Sequence, residues 1–406
     1  MSSALQHRPF ALFLYARVST AIAFQLLGVA VGWQVYSLTN SALYLGLVGL
    51  AQFLPLFLLT LVVGHVADRY DRRVVASICQ IVEGLAAGAL AWGSISGWMH
   101  EGSILTLVFV IGAARAFEGP TMQVLVPTLV PSELISKAVA WAASAMQTAT
   151  ILGPALGGFL YMANPVTVYA ASSSLFILAS IFIALIRIKP IPAKREPIRL
   201  KSLFAGIIYI RSHPVILGAI SLDLFAVLLG GATALLPIYA RDILMTGAWG
   251  LGLLRSAPAL GALLVSVLLA EHPLRRHVGR TMFIAVAIFG ISTIMFAVST
   301  SFLLSLGILT ILGAADVISI VIRQSLVQIS TPDDMRGRVS AVNSMFIGTS
   351  NQLGEFESGV TAAWFGVIPA VLIGGIGTIV IVILWVRLFP QLMRVDSLEL
   401  INQTSN

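Results

Sequence analysis

Nine charged side chains fall within or beside long apolar stretches of this sequence: Arg17, Glu83, Arg115, Glu118, Asp223, Asp316, Arg323, Glu355 and Glu357. The chain is 58% hydrophobic and only 10% charged, so the solvent for those stretches is a lipid bilayer. An isolated charge there costs about 3 kcal/mol or more, and each of the nine needs a partner or a wet wall. Paired basic and acidic groups with aromatics such as Trp33, Tyr36, Phe117 and Phe225 suit many amphiphilic molecules, and a carboxylate desolvated toward neutrality suits the uptake and release of a proton. Glu118 stands one turn beyond Arg115 and Arg323 two turns beyond Asp316, so two stretches each present both signs on nearly one face. Glu355 and Glu357 are two residues apart and point in different directions on a helix. A capped helix end or a hydrogen bond to Gln52 accounts equally well for either glutamate.

The elements that hold these charges are spans. A membrane-crossing helix takes roughly 20 mostly apolar residues, and about twelve stretches qualify, near residues 10–36, 43–64, 74–94, 104–130, 138–162, 166–187, 214–240, 249–270, 281–298, 302–329, 339–364 and 369–389. The long polar connection, 189–213, holds Pro190, Pro192 and Pro197 and divides the spans six and six. Its second part, 200–210, has the period of a short amphipathic helix lying on the membrane surface. The expected organisation is an N-terminal six-helix half (1–188), a cytoplasmic linker (189–213), a C-terminal six-helix half (214–390) and a cytoplasmic tail (391–406).

About 19 of the 24 Lys and Arg lie at the chain ends or in alternate loops, which makes those loops cytoplasmic. An even number of spans then puts both termini in the cytoplasm. The first stretch is too long, with Arg17 inside it, for a cleaved signal peptide. Topology thus accounts for the net charge of +7, and no nucleic-acid partner is expected. The lone Cys79 excludes an internal disulfide and offers no metal cluster. All six histidines fall in loops or at span ends, so neither a metal, a cofactor nor an intramembrane enzyme is expected. A phosphate-binding Gly-x-x-x-x-Gly-Lys-Ser/Thr loop is absent, which excludes ATP hydrolysis by that route and leaves an ion gradient, with the proton preferred over sodium.

The chain also repeats itself about two hundred residues apart. Gly112-Ala-Ala-Arg115 recurs as Gly313-Ala-Ala-Asp316, Pro131-Ser-Glu133 as Pro332-Asp-Asp334, and Gly153-Pro-Ala-Leu-Gly157-Gly158 as Gly354-Glu-Phe-Glu-Ser-Gly359. At an offset two residues longer, Gly49, Pro55, Asp68, Arg72 and Arg73 match Gly252, Pro258, Glu271, Arg275 and Arg276. A repeat of this kind in so apolar a chain is the signature of a transporter built from two related halves.

Three motifs resemble those of the major facilitator superfamily. Gly64-His-Val-Ala-Asp68-Arg69-Tyr-Asp-Arg72-Arg73 is similar to its loop between spans 2 and 3, and Arg115-Ala-Phe-Glu118-Gly119 to its span-4 motif. Gly153-Pro154-Ala-Leu-Gly157-Gly158 resembles the span-5 motif of its antiporters, although the upstream glycines of that motif are Ala140 and Ala149 here. The phrasing of both halves, including Leu222-Asp-Leu-Phe and Leu236-Pro-Ile-Tyr-Ala-Arg-Asp242, looks closest to the enterobactin-exporter-like branch. The resemblance implies an all-α membrane fold of twelve helices in two pseudo-symmetric halves. It also implies proton-coupled, alternating-access export of a siderophore or other amphiphilic molecule from a bacterial inner membrane, by a monomer. An importer, a lipid flippase or a non-transporting sensor on the same fold is the alternative.

In that family spans 1, 4, 7 and 10 line the central path, and Arg17, Arg115, Asp223 and Asp316 lie on those four. Arg115 and Asp316 are equivalent in the repeat and could face one another across the path, as working groups or as an ion pair that holds the packing. Span 5, kinked by Pro154, either seals the outward side against span 8 or simply packs closely through its glycines. The resemblance assigns the cytoplasmic gate to Gly64, Asp68, Arg69, Arg72, Arg73, Glu271 and Arg338, with Asp68 braced against the start of span 11; the alternative is that Arg69, Arg72 and Arg73 only anchor the topology. Asp68→Asn is therefore expected to slow flux while leaving substrate affinity nearly unchanged, measured as binding beside flux in one preparation. A tenfold loss of affinity, about 1.4 kcal/mol, with flux falling only in proportion would defeat the gating role.

Overall fold

The computed structural model describes residues 4–187, 200–274 and 276–397, apart from the side chains of residues 60, 61, 64, 65, 67, 68, 200–204, 333 and 334. Among these residues there is no strand. The first half comprises α1 (Arg8–Thr39), α2 (Ala42–Arg69), α3 (Arg72–Ser96), α4 (Glu101–Leu125), α5 (Ile135–Tyr161) and α6 (Pro165–Ala184). After α7 (Leu200–Ser212) come α8 (Pro214–Leu229), the single-turn α9 (Leu236–Ile238), α10 (Gly247–Glu271), α11 (Val278–Ala297), α12 (Phe302–Ile329), α13 (Asp333–Phe365), α14 (Val367–Leu388) and a short α15 (Pro390–Met393).

Local chemistry sets the helix ends. Pro9, Pro165 and Pro214 occupy first turns, where a missing N–H costs nothing. Asn164 caps α6 by accepting from Thr167 N at 2.8 Å, and His100 and Ser103 form a reciprocal box at the start of α4. Gly97 closes α3 at φ 77°, a left-handed conformation that a side chain would strain. Pro55, Pro120, Pro154 and Pro258 lie inside helices, as membrane helices permit.

The seventh span is broken, where the sequence pattern gave one run over 214–240. α8 stops at Leu229 before Gly230-Gly231, a 3-10 turn (Ala232–Leu235) and Pro237 follow, and Tyr239–Ile243 forms a π turn. Two consecutive glycines and a proline remove both the stiffness and one of the hydrogen bonds a straight helix requires. The Tyr239 hydroxyl donates to the Ala297 carbonyl at 3.0 Å, anchoring the turn to the end of α11.

Among the described residues ten helices are long and apolar enough to cross a membrane. α5 and α13 have the length, at 27 and 33 residues, but are too polar along their course to meet the same measure. Elsewhere large apolar side chains such as Leu85, Trp92, Ile208 and Leu303 lie exposed on the helix surfaces, as the lipid-facing side of a multi-pass membrane protein requires.

The chain forms two compact units, one of α1–α6 with Met245–Ser256 and one of α7 through Leu244 with the chain from Ala257 onward. Packing repeats between them. In the first, α3 lies against α6 and α4, and α1 against α5 and α6; in the second, α11 lies against α14 and α12, and α8 against α13 and α14. Polar groups link the helices within each unit. Gln34 donates to Ser94 at 3.1 Å and accepts from Tyr169, tying α1, α3 and α6, while Trp385 donates to Ser221 at 3.0 Å between α14 and α8. Helix α7 packs on α8 and α13 through Ile210, Ile216, Ile220, Val339 and Val342, and the Tyr209 hydroxyl donates to Ser330 O at 2.8 Å. The remainder of the expected linker and most of the tail lie outside the described residues.

The repeated glycines mark the closest approaches. A Cβ at Gly112 would stand 3.0 Å from the Gln52 carbonyl oxygen, and one at the equivalent Gly313 would collide with the Pro258 carbonyl. Gly313→Val should therefore force α12 off α10 and cost about 1–3 kcal/mol, whereas Gly307→Ala, on the same helix with open space around it, should be neutral or mildly stabilising. Thermal unfolding of the two purified variants checks the contrast, and equal midpoints would refute it.

Candidate functional site

In the first unit, Arg17 and Thr20 on α1 and Arg115 and Glu118 on α4 line a cavity of about 300 Å³ together with Phe24, Gln25, Met122 and Met146. The Arg115 guanidinium carbon stands 3.5 Å from the centre of the Phe24 ring, which holds the cation on an aromatic face without neutralising it. Gln80 on α3 lies fully buried behind this wall. Its amide nitrogen donates to Glu118 Oε1 at 3.0 Å and to Thr20 Oγ1 at 3.2 Å, so one side chain joins α1, α3 and α4. The wall offers two guanidinium groups, one carboxylate, two thioethers and an aromatic ring. Such a surface suits an amphiphilic molecule with an anionic portion.

The second unit builds its counterpart differently. Asp223 Oδ2 on α8 lies 3.2 Å from Arg323 Nη2 on α12, and Arg323 Nη1 donates to Asn343 Oδ1 on α13 at 2.7 Å. Arg323 is only 1% exposed and Asp223 6%, so this pair is buried as a unit across three helices. Asp223 is alone among charges on its own helix, but the fold gives it a cation from another. Asp223, Asp316 and Ser319 also border a void of about 10 Å³, room for at most one water. Asp316 makes no hydrogen bond or ion pair among the described residues.

The two clusters occupy equivalent positions. Extending the longer repeat offset along the first helices pairs Thr20 with Asp223, and the shorter offset pairs Glu118 with Ser319. One half carries hydroxyl then carboxylate, the other carboxylate then hydroxyl, on matching helices. Arg115 and its equivalent Asp316 lie in separate units, each with its own neighbours. Glu355 and Glu357 are both half-buried on α13, and Glu357 Oε1 accepts from Thr361 at 2.8 Å.

The span-5 glycines pack closely on two sides. Cβ atoms at Gly153 and Gly157 would meet Gln25 and Leu26 of α1, and one at Gly158 would stand 2.5 Å from the Ala248 carbonyl oxygen and 3.0 Å from Gly252 Cα. Pro154 O in turn abuts Gly252. In the loop motif, Gly64 and Asp68 lie in the last turns of α2, and Arg69 ends that helix exposed. Arg72, half-buried, opens α3. Asp71 caps α3: its Oδ1 accepts from Arg73 N at 2.9 Å and its Oδ2 pairs with Arg73 Nη2 at 2.6 Å, while Arg73 Nη1 reaches the Ile186 carbonyl at 2.8 Å. The Arg73 hydrogen bond holds the Asp71 carboxyl below its ordinary range. Its stabilisation is therefore complete above the usual carboxylate pKa of about 4 and fades as pH falls through Asp71's own lower value. In the second unit Glu271 ends α10 exposed, and the exposed Arg338 donates to Met335 Sδ at 3.4 Å.

The sequence pattern of the family described as transmembrane secretion effector matches residues 2–405. The chain belongs to this family. It is a major facilitator superfamily transporter. It is 25% identical to the enterobactin exporter EntS of Citrobacter koseri, over 96% of this chain and 93% of that protein, and 24% identical to that of Shigella boydii with the same coverage. Among solved structures, it shares its fold with a bacterial homolog of the human lysosomal transporter Spinster, inward-facing and occupied, at a TM-score of 0.74, 13% identity and coverage of 97% and 98% of the two chains. A D-xylose-proton symporter matches at 0.68 and 14% identity, over 95% of this chain and 97% of that one.

Charge alone pointed to Arg17, Arg115, Glu118, Asp223, Asp316 and Arg323, and missed the neutral groups that hold them: Thr20, Gln80, Phe24 and Asn343. Equivalence to Asp223 in the repeat was a signal for Thr20. Arg323→Ala should leave Asp223 buried without its cation and cost about 3–5 kcal/mol. The double variant Asp223→Asn with Arg323→Gln should lose less than Arg323→Ala alone. Thermal unfolding in detergent measures both, and an Arg323→Ala protein as stable as the wild type would refute the pair's structural weight.

Proposed function

We propose that this transporter exports an amphiphilic small molecule of the siderophore class from a bacterial inner membrane, by alternating access and at the expense of the proton gradient. The observation that carries the reading is the cavity bordered by Arg17, Arg115 and Glu118, where cations meet an aromatic ring and flexible thioethers. Such a wall binds an anionic or polyphenolic molecule through charge and keeps enough apolar surface to tolerate its rings. The names of the enterobactin exporters at about a quarter identity support the substrate class and the outward direction.

Proton coupling in this reading passes through carboxylates of both halves. Asp223 is matched by Arg323, which leaves Asp316, beside the same small void, as the acid free to change its protonation. Glu355 and Glu357 on the polar helix α13 are the further acids of that half. The loop from Gly64 to Arg73, with Glu271 and Arg338, forms the cytoplasmic gate, and both termini face the cytoplasm.

The test is flux in proteoliposomes under an imposed pH difference, with iron-free enterobactin as the probe. Wild-type protein should accumulate it against its gradient. Asp316→Asn should still bind and exchange the probe but should lose at least about tenfold of its pH-driven accumulation, equivalent to roughly 1.4 kcal/mol of coupling. Wild-type protein that moves the probe at the same rate with and without the pH difference would end the proton-driven reading.

A further inference from the structure

One buried acid lies outside the cavity wall and has no use in the mechanism above. Glu83 on α3 is 0% exposed, and neither of its carboxylate oxygens has a hydrogen-bond partner. One turn earlier on the same face, Gln80 is also 0% exposed, and its Oε1 lacks a donor. The Gln80 amide nitrogen already serves Thr20 and Glu118, so it cannot turn to supply the missing donor without abandoning both. Three buried acceptor oxygens one turn apart on α3 therefore lack any donor among the described residues.

Among the described residues the surroundings bring Glu83 neither an ion pair nor a hydrogen bond. Helix α6, packed along α3, has a single titratable side chain, Tyr169, whose hydroxyl is given to Gln34. From α4 come Glu118 and Arg115, the latter held over Phe24; the two are of opposite charge and both lie within Coulombic reach of Glu83. From α1 comes Arg17 at the cavity wall, and α3 itself adds the thiol of Cys79, with Arg72 and Arg73 about three turns away at its N-terminus. A dissociated carboxylate with no hydrogen bond in a bilayer interior is prohibitively costly, and a buried acceptor left bare costs about 1–3 kcal/mol. A single proton relieves both. On Glu83 it removes the charge and creates the one O–H that Gln80 Oε1 can accept.

We propose that Glu83 is an exchangeable proton site of the first half, reached from the cavity by way of Glu118 and Gln80. The site rests on the proton-driven reading and locates one of its protons. Loading adds a proton to the Glu83 carboxylate to give the acid, and release returns it through Glu118 to cavity water. Thr20, Gln80 and Glu118 form the neck between this site and the cavity, so movement among α1, α3 and α4 governs its access.

The experiment is infrared difference spectroscopy of the full chain in lipid bilayers, with the buffer stepped between about pH 5 and about pH 10 to cover desolvated carboxyls. Glu83→Gln preserves shape and a hydrogen-bond donor, so it keeps the fold. Subtracting its spectrum from the wild type should reveal the C=O stretch of a protonated carboxylic acid at low pH that vanishes at high pH. Glu118→Gln should retain that band and slow its response to the pH step. Superimposable spectra for wild type and Glu83→Gln would overturn the assignment to Glu83, as would a Glu83 band that persists unchanged at every pH. A wild-type carboxyl region insensitive to pH would instead remove the proton-driven reading itself.

Discussion

A charge carried into a bilayer must be matched, because hydrocarbon offers neither water nor counterion. This constraint organises both halves of the molecule. In the second half the Arg323 guanidinium is met by the Asp223 carboxylate and the Asn343 amide, and doing so fixes α8, α12 and α13 relative to one another. In the first half the same demand is met with a cavity: Arg17, Arg115 and Glu118 border open space, and only Glu118 is tied back into the helices, through Gln80. One half thus buries its ions as a pair and the other keeps them on a cavity wall.

The exchange of Thr20 and Glu118 for Asp223 and Ser319 shows how a repeated fold diverges without losing its framework. The backbone sites are retained, and so are the close approaches at Gly112 and Gly313 on the helices that carry them. Only the helix that carries the carboxylate differs. A hydroxyl and a carboxylate at two neighbouring positions satisfy the same geometric need in either order, so the substitution is cheap for folding and consequential for charge.

Much of this was legible in the sequence. Spans, the two related halves and the six ions of the clusters follow from apolar runs, spacing and the scarcity of charge in them. Residues that act through geometry were not legible. Gln80 and Asn343 are uncharged and sit in runs where polar residues are common, and nothing local marks them as the groups that join helices distant in sequence. The partner of Asp223 was hidden for the same reason, since Arg323 lies a hundred residues away and on a different helix. The break after Leu229 was visible as Gly230-Gly231 and Pro237, yet apolarity continues through it, and hydropathy registers length rather than straightness.

Helices α5 and α13 occupy matching places in the repeat, and they are the two long helices too polar to count as spans by composition. A segment crosses from the translocation channel into lipid by its own apolarity, and each Asn, Gln, Glu or Arg near its centre weighs against that step. α13, with Asn343, Asn351, Gln352, Glu355 and Glu357, cannot make the step alone. In the folded protein α8 supplies its packed surface, and Arg323 of α12, paired with Asp223 of α8, supplies the polar partner of Asn343. The order of synthesis meets that requirement, because α8 and α12 emerge from the ribosome before α13 does. The polarity of α13 thereby makes its biogenesis a cooperative event, dependent on helices already in place.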